Sequence, residues 1–151
     1  MNTPMTKNEF SDFCNQYCFK EYAQIIIKNG HPTFQSSQIQ SSSNTYGHVY
    51  IWIEIEDECT TVIYVGMAGK TIKDRCTQHE AGFKKSTTGL NHSSRIISGI
   101  SSEKKYKVYV RESYKIKIFE EENISMCSVE EIAFIKKLHP LWNRSSKLQI
   151  N

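Results

Sequence analysis

With 151 residues and a mass of 17.5 kDa, the chain has the size of one domain and is long enough to bury a core without disulfide or metal staples. A hydrophobic share of 38% and a charged share of 23% exclude fibrous and low-complexity classes, and no stretch reaches the roughly 18–20 apolar residues that cross a bilayer. A formal net charge of +3 is too small to name a partner, so the distribution of charge carries the information.

The segment from Thr3 to Lys7 and onward lacks the basic and apolar regions of a signal peptide. Five cysteines, Cys14, Cys18, Cys59, Cys76 and Cys127, form no C-x-x-C pair and no secreted framework. A reducing, cytoplasmic location is the expectation, with export by a route that needs no cleavable signal compatible with it.

In chain order, Phe10, Phe13, Cys14, Tyr17, Cys18, Tyr22 and Ile25 recur at three- and four-residue steps, predicting an amphipathic helix from Lys7 to Lys28 that stops at Asn29-Gly30. The following HPTFQSSQIQSSSNTYG is rich in Ser and Gln and reads as a linker or loop. Residues 1–45 are therefore expected to be a helical extension with a linker, and residues 46–151 the main domain. From His48 to Glu56, Val49, Ile51, Ile53 and Ile55 alternate with Tyr50, Trp52, Glu54 and Glu56; with a second run over Thr61 to Gly66, this predicts a β-hairpin. A helix is expected over Thr71 to Glu80 and a short one over Ser94 to Ile100, joined by a turn at Gly89-Leu90-Asn91. Strand alternation returns over Tyr106 to Arg111 and Tyr114 to Phe119. The last helix, Ser128 to Leu138, has a capping-box start in SVEE and a stop at Pro140. The order implies an α+β fold, a small antiparallel sheet of about three strands flanked by helices.

Between Gly66 and Arg111 ten bases face three acids, a local excess that favours a phosphate-bearing partner; a solvated basic face is the alternative. Four residues in and just before this region could do chemistry. Tyr50 and Tyr64 would bring two phenols together across the hairpin, although tyrosines often enter strands for packing. Arg75 and His79 are four apart and share a helical face, which also describes an ordinary surface pair. Glu131 also has a purely local reading as the third residue of a capping box, and Asn143 could equally be a turn residue.

Taken together, V-Y at 49–50, Y-V-G at 64–66, R-x-x-x-H at 75–79 and E-x-x-x-I-K-K-x-x-P-x-x-N from Glu131 to Asn143 resemble the GIY-YIG nuclease family over about two thirds of the chain. His48 replaces the first glycine of that pattern, and Met67 stands where many members have lysine. The resemblance implies a stand-alone endonuclease of restriction or phage type that hydrolyses phosphodiester bonds in DNA, double-stranded DNA foremost, with RNA left open. A nuclease toxin or effector, or an inactive nucleic-acid-binding module, are the alternatives. It further implies a catalytic set of Tyr50, Tyr64, Arg75, His79, Glu131 and Asn143, with Glu131 the ligand of Mg²⁺ or Mn²⁺. Tyr50 is favoured as the base with Tyr64 as its partner, the reverse assignment staying open. His79 would hydrogen-bond a tyrosine or the phosphate, and Asn143 would orient Glu131 or nearby backbone. Lys70, Lys73, Lys84, Lys85, His92, Arg95 and Lys104 would contact flanking phosphates. No membrane partner is expected. One site serves one strand, so a homodimer is one route to a double-strand break, with the N-terminal helix the candidate to hold the partner or wrap the DNA.

Overall fold

A computed structural model describes residues 2–37, 45–120 and 122–143. The first helix, α1, covers only Lys7–Tyr17. It begins with a true capping box: Glu9 N–H donates to Thr6 Oγ1 and Thr6 N–H donates to Glu9 Oε1. It stops at Cys18, which adopts a left-handed conformation at φ 61°.

The expected continuation of this helix to Lys28 is corrected, because residues Lys20–Lys28 form strand β1. Tyr22 and Ile25 satisfy helical spacing, yet the run Ile25-Ile26-Ile27 is β-branched and favours a strand. Asn29 and Gly30 are a two-residue hairpin turn, with φ of 53° and 78°, and not a helix stop. They connect β1 to β2, His31–Ser36, with Lys28 opposite His31. The first part of the expected linker is thus a strand, and residues 38–44 lie outside those described.

The predicted hairpin is present as β3, His48–Glu56, and β4, Cys59–Ala68. Helix α2 spans Ile72–Lys85 and α3 spans Thr87–Ser101. The turn expected at Gly89 is instead inside α3. A Cβ there would run into the Gly82 carbonyl, so glycine is what lets the end of α2 approach the start of α3, and Ser86 Oγ caps α3 by accepting from Gly89 N–H at 2.9 Å. Strand β5 is Lys105–Glu112. The strand expected from Tyr114 to Phe119 shrinks to β6, Lys115–Ile116, paired with β7, Ile124–Ser125. Helix α4 spans Cys127–Leu138; its N-cap is Met126, without a side-chain cap, so Ser128 lies within the helix and the SVEE capping box does not form.

Five strands make one antiparallel sheet in the order β2-β1-β5-β3-β4, two more than expected, within the α+β architecture foreseen. Strand β1 is an interior strand between β2 and β5, so the packing unit begins well before Tyr46. Pro32, which has no N–H to give a ladder, falls on the edge strand β2. One hydrophobic cluster combines Tyr50, Trp52 and Tyr106 of the sheet with Ile72 and Phe83 of α2 and Ile96 of α3. The other combines Val49, Ile51, Ile53 and Val65 with Phe10 and Phe13 of α1 and Phe134 and Ile135 of α4. The alternation of β3 is what divides its residues between the two. Among the described residues no helix is long and apolar enough to cross a membrane.

Candidate active site

The hairpin register decides which tyrosines meet. Starting from the turn, Glu56 faces Cys59 and Ile53 faces Val62, but then Trp52 faces Tyr64 and Tyr50 faces Gly66. Ile63 is the extra residue of a β-bulge. Were the pairing regular, Ile63 would face Trp52, and Tyr64 would face Ile51 and point to the α1/α4 side, since a one-residue slip turns a strand over. The bulge therefore re-aims Tyr64 onto the face that carries Tyr50, and the two rings lie 6.2 Å apart. Gly66 is equally required, because a Cβ at that position would collide with the Tyr50 hydroxyl.

Helix α2 delivers the charged partners. Thr71 Oγ1 caps it by accepting from Asp74 N–H, and the four-residue step from Arg75 to His79 puts both side chains over the tyrosine face. Arg75 Nε donates to the Tyr50 hydroxyl at 3.2 Å, and that hydroxyl lies 2.6 Å from His79 Nε2. Arg75 Nη1 also donates to Gln78 Oε1 at 2.9 Å. The His79 ring is walled in by Tyr50, Trp52, Tyr64, Phe34 and Phe83. Burial in this wall, reinforced by the Arg75 charge, pulls the His79 pKa down to about 3. His79 is then neutral at pH 7, and the consistent hydrogen-bond pattern has Tyr50 O–H donating to Nε2 while accepting from Arg75.

Burial pushes the Tyr50 phenol well above its ordinary value of 10; Tyr64 adds to this and Arg75 opposes it. Burial works against the Arg75 charge, but Tyr50, Tyr64 and Glu131 outweigh it and its pKa rises. Glu131, half-buried on α4, is thus within electrostatic reach of the guanidinium. Among the described residues no three His, Cys, Asp or Glu side chains cluster to hold a metal. The donor set on offer is one carboxylate, which fits a hard divalent ion that keeps most of its waters and takes further oxygens from phosphate.

Asn143 takes the second of its two expected roles and acts on nearby backbone. Its Nδ2 donates to the Val65 carbonyl at 2.8 Å and its Oδ1 accepts from Val65 N–H at 2.9 Å, while Trp142 N–H donates to the Ile63 carbonyl. This segment stands in for a neighbouring strand along the free edge of β4, beside the bulge, and holds Tyr64 in place.

A cleft of about 330 Å³ opens beside these groups, lined by Tyr64, Arg75, His79, His92 and Trp142 among others. His92, expected on a surface facing phosphates, is instead buried at 4% exposure, with its ring stacked on Trp142 and against Tyr64. Lys70, Lys73, Lys84 and Lys85 are exposed before, on and at the end of α2, and Arg95 is exposed on α3 with its guanidinium over the Trp142 ring at 5.6 Å. Lys104 is committed to Glu54 and Glu56 at 3.5 and 3.7 Å. Sequence reasoning missed Gln78 and Trp142. The first is three residues from Arg75 on the same helix, and the second adjoins Asn143, so both could have been found from their neighbours.

The family model described as the GIY-YIG catalytic domain matches residues 17–148. No curated protein matches the sequence. Among solved structures, a mutant of bacteriophage T4 EndoII is similar with a TM-score of 0.67 and 21% identity, covering 89% of this chain and 98% of that one. The restriction endonuclease HPY188I, solved in complex with product DNA, is similar with a TM-score of 0.52 and 14% identity, covering 89% of this chain and 82% of that one.

Proposed function

The chain belongs to the GIY-YIG family, and from that premise we propose that it is a divalent-metal-dependent endonuclease that hydrolyses phosphodiester bonds in DNA, of restriction or phage type. The observation that carries this reading is the Tyr50 hydroxyl held between the Arg75 guanidinium and a neutral His79. That the relatives in fold are a phage protein and a restriction enzyme with product DNA supports the choice of substrate.

Tyr50 acts as the water-activating group. A water adjacent to its oxygen loses a proton to Tyr50 as the phenolic proton passes to His79 Nε2, and the resulting hydroxide attacks phosphorus. Arg75 stabilises phenolate character on Tyr50 and pairs with the phosphate oxygens through its free donors. The incoming phosphate charge raises the His79 pKa from its low resting value and makes the imidazole a competent acceptor. Tyr64, on the open side of the cleft, orients the attacking water. Glu131 would hold a Mg²⁺ or Mn²⁺ ion, which would supply positive charge opposite the phosphate and the leaving 3′ oxygen; that oxygen takes a proton from solvent water and leaves as the 3′-hydroxyl, and His79 gives its proton back to solvent. Lys84, Lys85 and Arg95 contact flanking phosphates. One Arg75 and one Glu131 serve one strand, so a single copy nicks, and two cuts need a second copy or a second visit.

The test is incubation of the protein with supercoiled plasmid in Mg²⁺, then in EDTA, beside Glu131→Gln. Cleavage in Mg²⁺ alone is expected, with a loss of at least about 10²- to 10³-fold in the variant at an unchanged melting temperature. Equal cleavage in EDTA, or full activity in Glu131→Gln, contradicts the reading.

A further inference from the structure

Away from the cleft, a buried arginine is paired with a largely buried glutamate, at side-chain exposures of 7% and 12%. Arg111, near the end of β5, is 7% exposed. Its Nη1 donates to the carbonyl of Tyr17, the last residue of α1, at 3.0 Å, and its Nε lies 3.1 Å from Glu130 Oε1 in the first turn of α4. The two atoms face one another without the alignment of a hydrogen bond, so this contact is an ion pair. The guanidinium also lies over the rings of Tyr114 and Phe134, at 5.1 and 5.5 Å. The other oxygen of Glu130 accepts from Tyr114 N–H at 2.9 Å. Two side chains thereby tie together α1, β5, the segment after β5, and α4.

Stability alone does not call for such a pair, since apolar side chains of similar volume serve a core at least as well. Its distinctive contribution is direction. The first turn of α4 receives no capping hydrogen bond from the side chain of its N-cap residue, Met126, and is tethered by Met126 N–H to the Tyr114 carbonyl, by Cys127 N–H to Ser125 Oγ, and by Glu130. Glu131 is the next residue, about 100° further round the helix. Once Glu130 is fixed to Arg111 and to the Tyr114 backbone, the rotation and height at which Glu131 leaves α4 are fixed too.

We propose that Arg111 and Glu130 are positioning residues that hold α4 in the orientation from which Glu131 meets the divalent ion, and so set the metal requirement of cleavage without touching metal or DNA. The proposal rests on the reading of Glu131 as the metal ligand.

Two variants test it. Arg111→Met combined with Glu130→Gln removes both charges and leaves none buried alone, and Arg111→Lys keeps the charge but not the guanidinium fork that serves Tyr17 and Glu130 together. Thermal unfolding, binding of a short duplex in EDTA, Mn²⁺ binding by EPR in a Tyr50→Phe background with that duplex, and Mg²⁺ titration of plasmid cleavage are measured for each. The double variant is expected to unfold cooperatively and to bind the duplex normally, with Mn²⁺ affinity down and half-saturating Mg²⁺ up by about 10- to 100-fold. Its rate at saturating Mg²⁺ should stay within a few-fold of the parent, and Arg111→Lys should show a smaller, severalfold rise. A folded double variant with unchanged Mn²⁺ affinity overturns the proposal. Should the double variant not fold, unchanged Mn²⁺ affinity in Arg111→Lys overturns it alone. If Glu131→Gln retains Mn²⁺ binding, the metal reading of Glu131 fails; if it loses binding while both other variants keep it, only the positioning role fails.

Discussion

The same strands present two unlike faces. Toward α1 and α4, β3 and β4 offer Val49, Ile51, Ile53 and Val65 to Phe10, Phe13, Phe134 and Leu138, a core of aliphatic and aromatic contacts with the Arg111–Glu130 ion pair beside it. Toward α2 and α3 they offer Tyr50, Trp52 and Tyr64 to Arg75, His79 and His92. There burial keeps Tyr50 and His79 in their neutral forms, in which the phenol can pass its proton to the imidazole. Stability and reactivity are thus assigned to opposite sides of one sheet. They are coupled where the Ile63 bulge and the Asn143 clamp fix β4, and where α4 sends Glu131 toward Arg75.

The severest way to break this comparison is to remove what both faces share. Deleting residues 1–30 takes away α1 and the interior strand β1, so the cooperative unfolding transition is expected to vanish; an unchanged transition in calorimetry would show that the sheet stands without β1.

A pair of single substitutions sharpens the division. Phe134→Ala, on the α4 face, should lower stability by about 3–5 kcal/mol while the cleavage rate at a temperature where it is folded stays near that of the parent. Tyr64→Phe, on the α2 face, should cut the rate by about 10²-fold at an unchanged urea midpoint. Reversal of either pattern would dissolve the division.

Acidification gives the most gradual effect. The unfolded chain binds a proton on His79 near pH 6.5, whereas the folded chain does so only near pH 3. The unfolded state therefore holds more protons between these values, and stability falls as pH drops below about 6.5, at up to about 1.4 kcal/mol per pH unit from this residue. His79→Phe should flatten the urea midpoint across that window, and an unaltered slope would mean that His79 is not buried neutral.

How much of this was legible in the sequence depended on whether a residue had one local reading or two. Tyr50, Arg75 and His79 were legible because strand alternation followed by a helical i, i+4 step leaves little freedom in where they point. Tyr64 lay in the expected hairpin, but the bulge that aims it is a property of pairing between Trp52 and Ile53 on one strand and Val62 and Tyr64 on the other, which periodicity within one strand does not express. Strand β1 was hidden because Tyr22 and Ile25 fit both periods and Asn29-Gly30 serves as helix stop or hairpin turn; only pairing with β2 and β5 decides between them. Gly89 read as a breaker, although its lack of a Cβ allows two helices to touch. His92 read as a surface base because α3 was expected to start after it, which removed the helical face that buries it.

The central claim is that the Tyr50 hydroxyl, between Arg75 and His79, activates the attacking water. Single-turnover cleavage of a labelled duplex by Tyr50→Phe, across pH 6 to 9.5 in saturating Mg²⁺, tests it most directly. The phenyl ring keeps the packing and loses only the oxygen, so the account predicts a rate lower by about 10²- to 10⁴-fold across that range, with duplex binding intact. A variant that cleaves at the parent rate with the parent's pH profile would contradict it.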